Sequence, residues 1–182
     1  MTKIKRALDI ICSLLALIAF TPLLIALYVI VYIDSDGHPL YAQKRITKSH
    51  KRFYVYKFTT MKIEAPRLVS VRDRLCFKDA NDKRVTKVGK LLRKTSLDEL
   101  PQLFNILVGD MSVVGPRPCM TNEERMFSES HFKHTAGLTG PTQIMRNHNL
   151  TLDDIHRLDD SYSIKNDIRI FFKTFYVIFK GK

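Results

Sequence analysis

The chain is short of the residues that mark several function classes. Its three cysteines, Cys12, Cys76 and Cys119, lie far apart, are odd in number and match no metal-ligand spacing. A disulfide framework and a zinc module are therefore excluded, and a reducing, cytoplasm-facing setting is the simplest reading. Internal repeats and low-complexity tracts are missing, which excludes repeat architectures. No small-residue cleavage pattern follows the first apolar run, so a secretory signal peptide is a poor match. Acidic residues are in deficit: eighteen Asp and Glu against thirty Lys and Arg leave a net charge of +12. Such a surface seeks anions, whether nucleic acid, an anionic membrane face or a phosphorylated substrate. With 182 residues there is room for one domain with a full core and little more.

What the chain does have begins with an uncharged run of 24 residues from Ile10 to Ile33. As a straight helix it would be about 36 Å long, enough to span a bilayer. Thr21-Pro22 interrupts it, and proline removes an N–H and bends or breaks a helix. Both flanks are basic: Lys3, Lys5 and Arg6 before, then Lys44, Arg45, Lys48, Lys51 and Arg52 after. The positive-inside tendency places both flanks in the cytoplasm. A helix bent at Pro22 that enters and leaves on one side meets this condition, with Thr21 satisfying a carbonyl freed by the bend. The alternative is a kinked single span. The prediction is a re-entrant membrane helix over residues 1–33 and a cytoplasmic catalytic domain over 34–182.

The centre of that domain is Ser96-Leu97-Asp98-Glu99-Leu100-Pro101. Ser96 and Glu99 have capping-box spacing, and Pro101 is tolerated only near a first turn, so a helix is predicted to start at the acid pair. Leu100, Leu103, Phe104 and Leu107 form an inward stripe, and Gly109 is the stop. A helix N-terminus favours negative charge, keeping Asp98 and Glu99 ionised and helping to hold an anion. An ionised aspartate can act as a nucleophile or bind a hard divalent cation; simple capping is the plainer alternative.

Further on, Val113-Val114 reads as a strand end, and Gly115-Pro116-Arg117-Pro118 presents a guanidinium on a stiff backbone suited to phosphate. Residues 53–58 read as a strand inside a basic collar that suits lipid headgroups, and 64–85 as an irregular loop. Val85 to Leu92 is a predicted short helix, 137–141 a tight turn, and Thr151 with Asp154 a helix cap. From Ile164 to Phe179 an aromatic, basic helix suits a membrane interface or core packing equally. The fold class is α+β, mostly helical with short β-strands or a hairpin.

In order, these motifs resemble those of the bacterial sugar transferases, the monotopic phosphoglycosyl transferases. The resemblance runs from about Lys5 to the C-terminus. It rests on Lys5-Arg6 with Asp9, the Pro22 break, Gln43 and Arg45, and Tyr56-Lys57-Phe58-Thr59-Thr60-Met61. It continues through Arg93 to Ser96-Leu97-Asp98-Glu99-Leu100-Pro101-Gln102, then 109–118 and Gly137-Leu138-Thr139-Gly140. The resemblance implies transfer of a sugar 1-phosphate from a UDP-sugar to a polyprenyl phosphate, usually undecaprenyl phosphate, releasing UMP. It also implies Mg²⁺, a covalent intermediate on Asp98, and a monotopic seat in the inner membrane facing the cytoplasm. Asp98 and Glu99 are then the catalytic and metal-binding pair. Arg117 is the first choice for a phosphate clamp, followed by Arg45, Lys57, Arg93 and Arg146. Thr21-Pro22 would be the membrane break. Expected partners are the donor, the acceptor, membrane lipids and downstream glycosyltransferases, with no nucleic acid.

The pattern is not followed everywhere. Thr59, Ala136, Pro141 and Met145 stand where members often have Arg, Pro, Trp and Gly. These changes touch the sugar and uridine pocket and leave the acid pair alone. The competing readings are an inactive relative and a membrane-tethered basic binding protein. The sequence names neither the sugar nor the glycan pathway.

Overall fold

The structure is a computed structural model, and it describes residues 2–62, 82, 84–145 and 150–179. It begins with helix α1, Lys3–Asp34, whose 32 residues run about 48 Å. The expected division at Pro22 is not seen: one helix runs through the proline, which lacks the N–H for its own helical bond. The Thr21 hydroxyl donates to the Leu17 carbonyl at 2.7 Å, which binds the turn just before the proline. By length and composition α1 could cross a membrane.

Its contacts tie it to the domain. Asp9, Ser13, Leu17, Leu27 and Val31 form one buried stripe along the helix. At its start, Arg6 donates to the carbonyls of Ile106 and Leu107 at 2.6 and 2.7 Å. Midway, Leu17 joins a core cluster with Phe53, Val55, Leu103, Ile106 and Met111. Farther along, Leu27 and Val31 pack with Phe58 and Leu92. At its end, Asp34 accepts from the Thr86 hydroxyl. The domain thus holds α1 near both of its ends.

Strands β1, Leu40–Ile46, and β2, Arg52–Phe58, form an antiparallel hairpin; the second contains the predicted strand. Strand β4, Cys119–Met120, adds to β1, giving the order β2–β1–β4. The open edge of β2 is closed by a side chain. Asn105, fully buried, accepts from Tyr56 N at 3.1 Å and donates to Tyr54 O at 2.7 Å. Helix α2, Lys87–Thr95, is the predicted short helix displaced toward the acid pair, with Thr86 capping it through Gly89 N. Helix α3, Gln102–Val108, stops at Gly109, whose φ is 97°, as expected of that glycine. Its inward stripe is Leu103 and Ile106; Phe104, expected inside, is exposed.

The predicted turn at 137–141 is instead strand β5, Gly137–Thr139, parallel to β3, Ser112–Val114, followed by a helical turn α4, Pro141–Ile144. Parallel pairing needs a partner far away in sequence, which a local turn signature does not reveal. Helix α5, Leu152–Asp160, starts with the expected Thr151–Asp154 capping box. Helix α6, Asp167–Phe179, buries Ile170 and exposes Ile168, Phe172, Phe175 and Tyr176. The 64–85 loop lies largely outside the described residues, as does Cys76. Cys12 and Cys119 are free thiols.

Two outcomes follow from this packing. Asn105→Ala strips two backbone groups of their partner and should cost about 2–4 kcal/mol in a denaturant melt. His50 receives Glu124 and Glu129 at 2.7 and 3.4 Å, and both bonds raise its pKa. A raised folded pKa gives stability that is complete below the unfolded value near 6.5 and disappears as pH climbs through the folded value. The melting difference between wild type and His50→Gln should therefore be largest in mild acid and vanish in mild base.

Candidate active site

Ser96 decides how the acid pair is held. It does not cap a helix; it adopts the left-handed conformation, φ 61° and ψ 14°, and its side chain makes no capping bond. This closes α2 sharply, and Leu97–Glu99 forms a 3₁₀ turn before Pro101 opens α3. The capping-box prediction is therefore corrected: spacing alone cannot tell a cap from a corner between two helices. Left-handed backbone at a non-glycine residue is uncommon and is held by its surroundings. Here Glu99 N donates to Ser96 O at 3.2 Å and Leu100 N to Leu97 O at 3.2 Å.

At this corner Asp98 is 3% exposed, while Glu99 is half-buried. Lys57, from β2, donates to Glu99 Oε1 at 2.9 Å. Arg93, from the last turn of α2, donates through Nε to the Thr60 hydroxyl at 2.9 Å. Burial lowers the Arg93 pKa, and the nearby Asp98 and Asp82 carboxylates oppose that by favouring its charge. Two cations thus face two acids, and the pair is set for polyanion chemistry.

Arg45 and Arg117 do not join this group as their neighbours; they gather with Glu123. Arg45 is 8% exposed and donates to Pro118 O at 3.2 Å and Gln43 Oε1 at 2.7 Å. Burial and then Arg117 lower its pKa to about 10, against the pull of Glu123. Arg117 itself is exposed. In the hairpin register Arg45 faces Phe53, whereas Lys57 faces Tyr41, four residues farther along β1. That offset is about 13 Å of strand. The candidate phosphate ligands thus fall in two places, Lys57 beside Glu99 and Arg45 beside Arg117 and Glu123. Arg146 lies outside the described residues.

The Arg117 loop is fixed as its prolines suggest, and more firmly. Gly115 N donates to Thr139 O at 2.9 Å and Gly137 N to Pro116 O at 2.8 Å. A Cβ on Gly137 would sit 2.1 Å from Gly115 N, so two backbones meet where no side chain fits. The strand before the loop is held by α1: Asp9 accepts from Val113 N at 2.9 Å and Ser112 Oγ at 3.0 Å. In the sequence Asp9 entered with Lys5-Arg6 as part of the family resemblance. Asn105 and Glu123 had no such signal. Burial and Glu123 raise the Cys119 thiol to about 12, so it stays protonated at neutral pH.

The bacterial sugar transferase profile matches residues 1–181. The chain belongs to that family. This bacterial sugar transferase is 37% identical over 97% of its length to the undecaprenyl-phosphate galactose phosphotransferase of Salmonella typhimurium, covering 40% of that protein. It is 36% identical over 97% of its length to the galactosyl transferase CpsE of Streptococcus agalactiae, covering 42% of it. It is 36% identical over 94% of its length to the exopolysaccharide production protein PSS of Rhizobium leguminosarum, covering 92% of it. The chain spans about two-fifths of the first curated relatives it matches.

The Gly137 contact gives a direct check on the loop. Gly137→Ala should cost about 2–3 kcal/mol or more in a denaturant melt, because backbone and not a flexible side chain would have to move.

Proposed function

We propose that this chain transfers a sugar 1-phosphate from a UDP-sugar to a polyprenyl phosphate, undecaprenyl phosphate in its bacterial setting, releasing UMP. The observation that carries the reading is the Ser96 corner, which holds buried Asp98 and Glu99 side by side against Arg93 and Lys57. Asp98 attacks the β-phosphorus of the donor. A carboxylate oxygen–phosphorus bond forms, the bond to the bridging oxygen breaks, and UMP leaves with that oxygen. A phosphate oxygen of the acceptor then attacks the same phosphorus, and the Asp98 carboxylate is regenerated. Burial of Asp98 keeps water away from the acyl phosphate between the two steps. Arg93 and Lys57 sit where negative charge collects, and Lys57 fixes the orientation of Glu99.

The acid pair suits Mg²⁺. Adjacent carboxylates supply hard oxygens, and Asp98 and Glu99 are the residues that would hold the ion. Among the described residues no three His, Cys, Asp or Glu side chains gather into a cage. Most of the shell would then come from phosphate and water, which is how Mg²⁺ prefers to bind. When bound, it would neutralise diphosphate charge.

Arg117 and Arg45 are the second cation set, and we assign Arg117 the clamp on a phosphate of donor or acceptor. The acceptor is a lipid, so the chain works at a membrane. Because the domain holds both ends of α1, we read α1 as monotopic, its exposed apolar face in lipid and the domain on the cytoplasmic side of the inner membrane. The product would feed glycan-extending transferases in capsule, O-antigen, exopolysaccharide or glycoprotein assembly. UDP-galactose and UDP-N-acetylgalactosamine head the donor panel, since relatives carry those sugars in their names.

With Mg²⁺ and undecaprenyl phosphate, one donor of the panel should give UMP release. Asp98→Asn should lower that release by about a thousandfold or more, the usual loss with a nucleophile. Release unchanged in Asp98→Asn, or none from any donor with folded protein, would refute the reading.

A further inference from the structure

Strand β3 has three residues and one strand partner, β5, so its outer edge is completed by side chains. Asp9 takes the Val113 N–H, and the Val114 carbonyl accepts from Lys5 Nζ at 3.0 Å. The Tyr162 hydroxyl lies 3.3 Å from the same carbonyl and 2.6 Å from Asp167 Oδ1. The other oxygen of Asp167 pairs with Lys5. Three elements, α1, the end of β3 and the start of α6, are therefore tied at one point. Tyr162 is 8% exposed, with His134 edge-on to its ring at 4.9 Å. Burial and Asp167 both raise its pKa, so the hydroxyl keeps the proton it donates.

Val114 stands three positions before Arg117, and the backbone between them has little slack. Gly115 N and Pro116 O are both bonded to β5 or its flank, and Pro116 has a fixed φ. Where the Val114 carbonyl is held, the backbone leading to Arg117 is held with it. We propose that Tyr162 is a positioning residue for Arg117: its hydroxyl donates to Asp167, Asp167 pairs with Lys5, and Lys5 holds the Val114 carbonyl. The inference rests on Arg117 acting as a phosphate clamp. It also explains why the clamp should sense how α1 and α6, with their exposed apolar faces, are seated.

The test is calorimetric titration of the full chain in lipid nanodiscs with inorganic pyrophosphate. Wild type, Arg117→Ala, Tyr162→Phe and the double variant form a mutant cycle, each checked by thermal melting. Tyr162→Phe removes one hydroxyl and keeps the Lys5–Asp167 pair. Its affinity should fall about fivefold and should fall no further in the Arg117→Ala background. Three results overturn the inference: wild-type affinity in Tyr162→Phe, an undiminished loss in the double variant, or wild-type affinity in Arg117→Ala. If Tyr162→Phe melts well below wild type, Asp167→Asn tests the same tie and should show the same non-additivity; an additive loss overturns it. Pyrophosphate binding needs no turnover. A failed cycle with Asp98-dependent UMP release intact would thus fell this inference and leave the proposed reaction standing.

Discussion

Everything in this molecule hangs on the grip of the domain on α1. Arg6 closes the carbonyl end of α3, Asp9 and Lys5 hold β3, Leu17 fills the main core, and Asp34 meets Thr86. Two basic residues, Lys5 and Arg6, and two acids, Asp9 and Asp34, are thereby committed to polar contacts that an unattached membrane helix could not use. Lys5 and Arg6, read from sequence as part of a basic flank, serve mainly as structural ligands of the backbone. The same contacts place α3, which begins just after the acid pair, and β3, which ends just before Arg117. One helix therefore sets both halves of the site relative to the apolar surface it exposes.

The candidate site residues lie at two places along the hairpin. Acid groups with Lys57 and Arg93 occupy one stretch of the hairpin face, and Arg45 with Arg117 and Glu123 another, about 13 Å of strand away. A long, doubly charged donor or a phosphate on a lipid suits such a layout better than a compact single-phosphate ligand does. Within the second set Arg45 feels the charge of Arg117, and Glu123 offsets it.

Local chemistry was legible in the sequence, and long-range pairing was not. The strand at 53–58, the Gly109 stop, the Thr151 cap and the stiff Arg117 loop each follow from a few adjacent residues. The resemblance to sugar transferases rested on such motifs too, and it led to Asp98 and Glu99. The Ser96 corner was missed because a serine three residues before a glutamate looks like a helix cap in sequence. Pairing of β3 with β5 was missed because glycine at 137 serves close backbone approach, not a turn. Phe104 was placed inside with Leu100, Leu103 and Leu107; the buried face centres on Leu103 and Ile106, with Leu107 beside them, and Phe104 falls outside it. That Lys57 and Arg45 lie at different places along the hairpin could be seen only in its register, which no single segment encodes.

The central claim is a covalent phospho-sugar on Asp98, and its mass is the most direct measurement. The chain in nanodiscs, given its donor and no acceptor, should gain one sugar phosphate on the peptide that contains Asp98. The adduct should disappear when undecaprenyl phosphate is added. UMP release with no adduct, or an adduct mapped to another residue, would contradict the account.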